Sequence, residues 1–350
     1  MASRNRKRAP QPETPADSEL LDFDIVAAEL VRALRGKRSQ VAFSRRLGYT
    51  SSVAHRWEAG RAWPWASALL EGCERIGIDL DAALTRFFQR RPGWLDQHAL
   101  ASRAGIAAFL RQLRGKTPIS RLAEASGINR YSLARWLAGS AEPRLPDFLR
   151  VIEAASRRVV DFLACLVDPA RLPAVAERWQ RLEQLRHAAY EYPLSHAVLR
   201  ALELAPELSR ANTSAWLEQT LGMRREEVTE ALHVLERTGQ VRRVSGAWRP
   251  ERTAPVVNTS ADPERARAAC LAWTRLALER LEARAPGHYG YSVFAIGKAD
   301  LRKLRDLHVE YLRAMLDLIA GSRHSECVAV YASQLLDLSA GPSNALSPQP

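Results

Sequence analysis

Two short runs of the chain carry side chains whose types and spacing suit hydrogen bonding to nucleic-acid bases. The first is Thr50, Ser51, Ser52, His55 and Arg56; the second is Asn129, Arg130, Tyr131 and Arg135. Each follows a glycine (Gly48, Gly127) and leads into a tryptophan (Trp57, Trp136). Glycine permits a tight turn because it tolerates positive φ. Thr50 and Asn129 are residue types that cap helices. In the first run Ala54 and Trp57 can pin a short helix to a core, so that Ser51, Ser52, His55 and Arg56 are thrown outward. Such side chains can read base edges in the major groove, where arginine pairs bidentately with guanine. Trp57 is expected to pack in the core, not to stack on a base. The chemistry on offer is recognition, not bond making.

Patterns for catalysis or metal binding fare worse. Gly297-Lys298 is followed by Ala299, and no glycine stands five residues before Gly297, so the phosphate-loop pattern fails. No GxSxG elbow is present. His324 and Cys327 are spaced like two metal ligands, but no second pair lies nearby. His308 and Glu310 fall on opposite sides of a helix and read as surface residues. His288, Tyr289 and Tyr291 could line an effector pocket, although strand packing is the plainer account. No catalytic residue, cofactor or metal is expected, and the chain is not read as an enzyme.

The two runs lie inside a duplicated pattern. Residues 34–64 read LRGKRSQVAFSRRLGYTSSVAHRWEAGRAWP, and residues 113–143 read LRGKTPISRLAEASGINRYSLARWLAGSAEP. Laying Leu34 on Leu113 aligns Gly48 with Gly127, Arg56-Trp57 with Arg135-Trp136, Gly60 with Gly139 and Pro64 with Pro143, without a gap. In the first copy Val26, Leu30 and Leu34 mark one face of a helix. Ser39 is a candidate cap for a second helix carrying Val41, Phe43 and Leu47, and Thr50 for a third over 51–58. A fourth helix is expected at 65–76 and a closing segment from Leu80 to Phe88. In the second copy Ile106, Leu110 and Leu113 supply the first helix, Thr117-Pro118 opens the second, and Asn129 caps the third. Phe148, Val151 and Ile152 supply the fourth, and 159–166 closes the unit. The prediction is two tandem five-helix helix-turn-helix units, 20–92 and 101–167.

Residues 168–192 predict a connecting helix with Val175, Trp179, Leu182 and Leu185 on one face. Residues 193–252 predict three helices (195–204, 213–221, 224–238), then a hairpin: QVRRV turns at Ser245-Gly246 and returns through Ala247-Trp248-Arg249. That order is winged-helix-like. Asp262-Pro263 opens a last unit, 262–339, expected to be a small α+β domain with helices to Arg284 and over 298–319 and strands at 289–296 and 327–338. Residues 1–19, with Arg4, Arg6, Lys7 and Arg8, and residues 340–350 read as disordered. The fold class is mainly α.

The stretch QVAFSRRLGYTSSVAHRWEAGRAWP resembles the Cro/repressor-type (Xre family) helix-turn-helix. The family pattern falls on Gln40, Ser44, Gly48, Thr50, Ser51, Ser52 and Trp57-Glu58-Ala59-Gly60, with Ser44 in place of the usual alanine. The resemblance implies that Gln40 contacts the phosphate backbone and that Ser51, Ser52 and His55 approach bases. The second copy is similar to the same family more loosely, because Ile119 replaces Gln40 and Leu137 replaces Glu58. It binds with altered specificity or is a structural echo. In the winged-helix-like segment Glu226, Glu227 and Glu230 share the third helix with Arg224, Arg225 and Arg237. Carboxylates repel a polyanion, so packing or dimerisation is expected there. Residues 193–339 are similar to an uncharacterised bacterial regulator module, which assigns no ligand.

Composition agrees without deciding. Of 350 residues, 51 are Lys or Arg and 39 Asp or Glu, a formal charge of +12. An arginine-rich excess suits phosphate and guanine, and it would also arise from a GC-rich genome. At 47% apolar residues the chain can build real cores. The four cysteines stand far apart with no CxxC pair, which suits a reducing cytosol. No membrane span or signal peptide is indicated. These features together lead to a cytoplasmic, sequence-specific transcriptional regulator acting on double-stranded DNA. Its C-terminal half would serve homodimerisation, an effector or a protein partner. The alternative is an antitoxin-like, partner-binding protein whose helix-turn-helix units serve autoregulation.

Overall fold

The first two helices begin at side-chain caps. Asp22 accepts from the N–H groups of Asp24 and Ile25 and opens α1 (Phe23–Arg35). Ser39 accepts from Ala42 N–H and opens α2 (Gln40–Arg46). The chain then runs through α3 (Val53–Glu58), α4 (Ala66–Arg75) and α5 (Leu80–Phe88). The second copy follows as α6 (Arg103–Arg114), α7 (Ile119–Ser126), α8 (Arg130–Ala138), α9 (Leu145–Ser156) and α10 (Val159–Ala164). Next come α11 (Pro173–Glu191), α12 (Ser195–Leu202), α13 (Ser214–Leu221) and α14 (Arg225–Arg237). Strands β1 (Val241–Val244) and β2 (Ala247–Pro250) pair antiparallel, with Val244 opposite Ala247. Helices α15 (Pro263–Glu282) and α16 (Lys298–Gly321) complete a mainly helical chain. This is a computed structural model, describing residues 21–204, 214–251, 262–322 and 325–339. The basic arm, the final tail, Thr213 and His324 lie outside the described residues.

The chain divides into two compact units. Among described residues the first takes those up to Ala83, Gly93–Leu110 and Leu122–Trp179; the second takes Leu84–Pro92, Arg111–Arg121 and those from Gln180 onward. In the first unit Val26, Leu30 and Leu34 are buried, as are Phe43, Leu47, Ala54 and Trp57. In the same unit Phe109, Phe148 and Phe162 form a fully buried aromatic trio with ring centroids 5.5–5.7 Å apart. Helix α1 of the first copy packs on α9 of the second. In the second unit Val198, Leu202, Leu217, Leu232, Val241 and Trp248 share one core, joining α12–α14 to the hairpin.

Two sequence expectations need correction. The 289–296 and 327–338 segments are not strands, so the described part of 262–339 holds two helices instead of an α+β fold. Apolar alternation marks a face, but a strand also needs a neighbouring backbone to pair with, and neither segment finds one here. Helix α2 carries Val41 and Phe43 as expected, with Val41 47% exposed and Phe43 buried. At about 100° per residue, two positions apart on a helix cannot share a core-facing stripe. Helix α3 starts at Val53 with Ser52 at its cap position, so Thr50 is not the cap. The serines fold instead into a turn in which Val53 N–H bonds Ser51 C=O.

Candidate nucleic-acid interface

The turn before α3 depends on Gly48, whose φ is +93°. A side chain there would be strained and would meet the Arg75 guanidinium, which is bonded to Leu47 C=O. The buried Ser44 hydroxyl donates to Gln40 C=O at 2.7 Å and accepts from Ala54 N–H at 3.1 Å. A hydroxyl from α2 thus satisfies a donor at the start of α3, which its own cap residue leaves unmet. Trp57 is 5% exposed and meets Tyr49 edge-on, with centroids 5.4 Å apart.

At the other end of α3 Glu58 is buried. Its carboxylate accepts from Arg35 Nε at 2.6 Å and from Gln40 Nε2 at 3.0 Å, with Arg32 at 4.0 Å. Burial pushes its pKa up, but the hydrogen bonds from Arg35 and Gln40 and the charges of Arg35 and Arg32 outweigh that and hold it below its ordinary value. Helices α1 and α2 therefore clamp α3 through one carboxylate.

With both ends held, α3 turns His55 and Arg56 to solvent; in the turn before it Thr50 and Ser51 are exposed and Ser52 is half-exposed. Gln40 is half-buried, and its amide nitrogen serves Glu58. A phosphate would have to share that group through its second hydrogen.

The second copy repeats the arrangement with different parts. Gly127 has φ +67°, and Asn129 Oδ1 accepts from Tyr131 N–H at 2.8 Å. Leu133, Trp136 and Leu137 are buried. Asn129, Arg130, Tyr131 and Arg135 are exposed, with Tyr131 at 71% and Arg135 over its ring at 5.8 Å. The charge clamp is missing here because Leu137 occupies the place of Glu58. Arg114, which aligns with Arg35, has a buried Nε with no hydrogen-bond partner among the described residues.

Helix α14 presents a different face. Its Arg224 pairs with Glu227 at 2.9 Å, Arg225 with Glu218 at 3.3 Å and Arg237 with Glu191 at 3.3 Å. Its arginines are answered by carboxylates, whereas Arg56, Arg130 and Arg135 sit on helices α3 and α8, whose exposed faces carry no acidic side chain.

Sequence reasoning missed a junction between the copies. Trp65 and Arg144 form an antiparallel bridge. Ala66 N–H donates to Pro143 C=O, and Leu145 N–H to Pro64 C=O, each at 3.0 Å. Arg144 lies 3.5 Å over the Trp65 ring and donates to Trp63 C=O at 2.8 Å. Glu142 accepts from Ser67 N–H at 3.3 Å, near the start of α4. A hollow of about 550 Å³ lies beside α3, lined among others by Val53, Arg56, Trp57, Trp65 and Arg144. The available signal was the matched pair Pro64 and Pro143, each directly preceding one of the bridging residues.

Among the described residues no group of histidines, cysteines and carboxylates could hold a metal ion, and no helix is long and apolar enough to cross a membrane. Residues 174–337 match a family described only as a domain of unknown function, DUF4423. No curated protein and no solved structure matches the chain.

Proposed function

We propose that this chain is a cytoplasmic, sequence-specific DNA-binding transcriptional regulator that uses α3, and α8 beside it, as Xre-type reading helices. The observation that carries the reading is the division of α3. Trp57, Ala54 and Glu58 are held inside, while Ser51, His55 and Arg56 face solvent after a glycine turn. The positive surface collects DNA through counterion release, and the outward side chains then sample base edges. No catalytic step, cofactor or metal enters this reading.

Selection of bound duplexes from random DNA by the full chain tests it directly, since a regulator enriches a motif. On that motif Arg56→Ala is expected to weaken binding roughly tenfold, in line with one lost base contact, at an unchanged melting temperature. Gln40→Ala should weaken binding with a small stability loss of about 1 kcal/mol, because it removes one hydrogen bond to Glu58. Wild-type affinity in both variants would dismiss α3 as the reader.

The C-terminal part of the second unit supports self-association. Leu278, Tyr291, Val293, Leu307, Leu318 and Leu336 are all more than half exposed. The strand-patterned segments beside them pair with no strand among the described residues. A second copy supplies both an apolar face and matching strand-patterned segments, a form of strand addition. Sedimentation of the full chain should give a dimer, and Leu318→Glu combined with Val293→Glu should give a monomer. A monomeric wild type that copurifies with a different protein in fixed ratio would favour the antitoxin-like alternative.

A further inference from the structure

We infer that a single chain reads a bipartite DNA site with two unlike half-sites, its reading helices set about a local two-fold axis at the Trp65–Arg144 bridge. The inference rests on the proposed DNA-binding function and adds the form of the target.

The axis is written in the hydrogen bonds. In the register that lays Leu34 on Leu113, Pro64 corresponds to Pro143, Trp65 to Arg144 and Ala66 to Leu145. The Ala66-to-Pro143 and Leu145-to-Pro64 bonds therefore exchange places when the copies are swapped. The bridge between Trp65 and Arg144 joins a residue to its own counterpart. Helices α4 and α9 are also counterparts, and they pack on each other. Contacts that map onto themselves are the mark of an isologous, two-fold interface. Here both halves belong to one chain. Val53 and Arg56 of α3 line the hollow that reaches Trp65 and Arg144, so α3 flanks the axis. Applied to the whole copies, the same operation would carry α3 onto α8, on the other side of the bridge.

Dimers of single-motif readers present the same helix twice and so read palindromes, with half-sites about one helical turn apart. At the bridge the backbone relation is symmetric, but the side chains of the two copies are not. Helix α3 and the turn before it offer Ser51, Ser52, His55 and Arg56; α8 offers Arg130, Tyr131 and Arg135. Serine accepts several bases, whereas arginine favours guanine. The half-site under α8 should therefore be guanine-bearing and the more exacting of the two. The half-site under α3 should be the more permissive.

The test is selection of bound duplexes by the full chain, followed by spacing variants. Two dissimilar motifs at one fixed separation are expected. Arg135→Ala should flatten base preference roughly tenfold in one motif only, and Arg56→Ala in the other. Inserting about 5 base pairs between them, half a helical turn, should reduce binding to that of one half-site. A palindrome, or a motif indifferent to Arg135→Ala, would overturn the two-reader site while leaving a DNA-binding chain. Tolerance of the insertion would overturn the fixed axis. Enrichment of no sequence would remove the proposed function itself, and this inference with it.

Discussion

Trp57→Ala should cost the first unit about 3–5 kcal/mol, the usual penalty for deleting a buried aromatic. On a unit of this size that is a fall of the order of 10 °C in melting temperature. The side chain is 5% exposed and braced by Tyr49, and it anchors the middle of α3 to the core. Removing it leaves Ala54 and Glu58 to hold a helix of 6 residues. A helix that short is not stable alone. DNA binding should therefore disappear together with stability, in contrast to Arg56→Ala, which should lose affinity at constant stability. Calorimetry of the two variants side by side checks this. An unchanged transition for Trp57→Ala would show that α3 is held some other way.

Glu58→Gln should have the second largest effect, about 3 kcal/mol at neutral pH. That is the low end for breaking a buried ion pair, and it applies because Arg35 keeps a fifth of its side chain exposed and can recover some hydration. The sign of its pH dependence follows from the depressed pKa. A carboxyl held below its ordinary 4.5 in the folded state contributes stability that is fully present above that value. The contribution is lost as pH falls through the lower folded value. Wild type and Glu58→Gln should thus differ most at neutral pH, with the gap shrinking as pH falls below 4.5 and through the lower folded value. Denaturant midpoints at pH 7 and pH 3 measure the gap; a gap of equal size at both would mean that the carboxylate charge is not what clamps the helix.

The same carboxylate separates the two copies. Glu58 draws Arg35 and Gln40 together in the first, while in the second Leu137 and Ile119 stand at the positions of Glu58 and Gln40. The substitutions were visible in the aligned copies. That the Arg114 Nε is buried with no hydrogen-bond partner among the described residues needed coordinates. The outward set was readable for a simple reason. A glycine turn followed by small polar residues and a buried tryptophan fixes which way a short helix must face. The start of that helix was misplaced because its first free N–H is met from another helix, by Ser44.

Local signals in the residue order were enough for most helices, the caps at Ser39, Asn129 and Asp262, the glycine turns, the hairpin at Ser245-Gly246 and the mainly helical class. Each depends on contacts among residues a few positions apart, so periodicity and side-chain chemistry report them directly. The Trp65–Arg144 bridge and the clamp on Glu58 were settled only in three dimensions. So was the absence of a strand partner for 289–296 among the described residues. Each of these turns on which distant segment arrives alongside, and a run of side chains carries no record of its neighbour until the chain has closed upon itself.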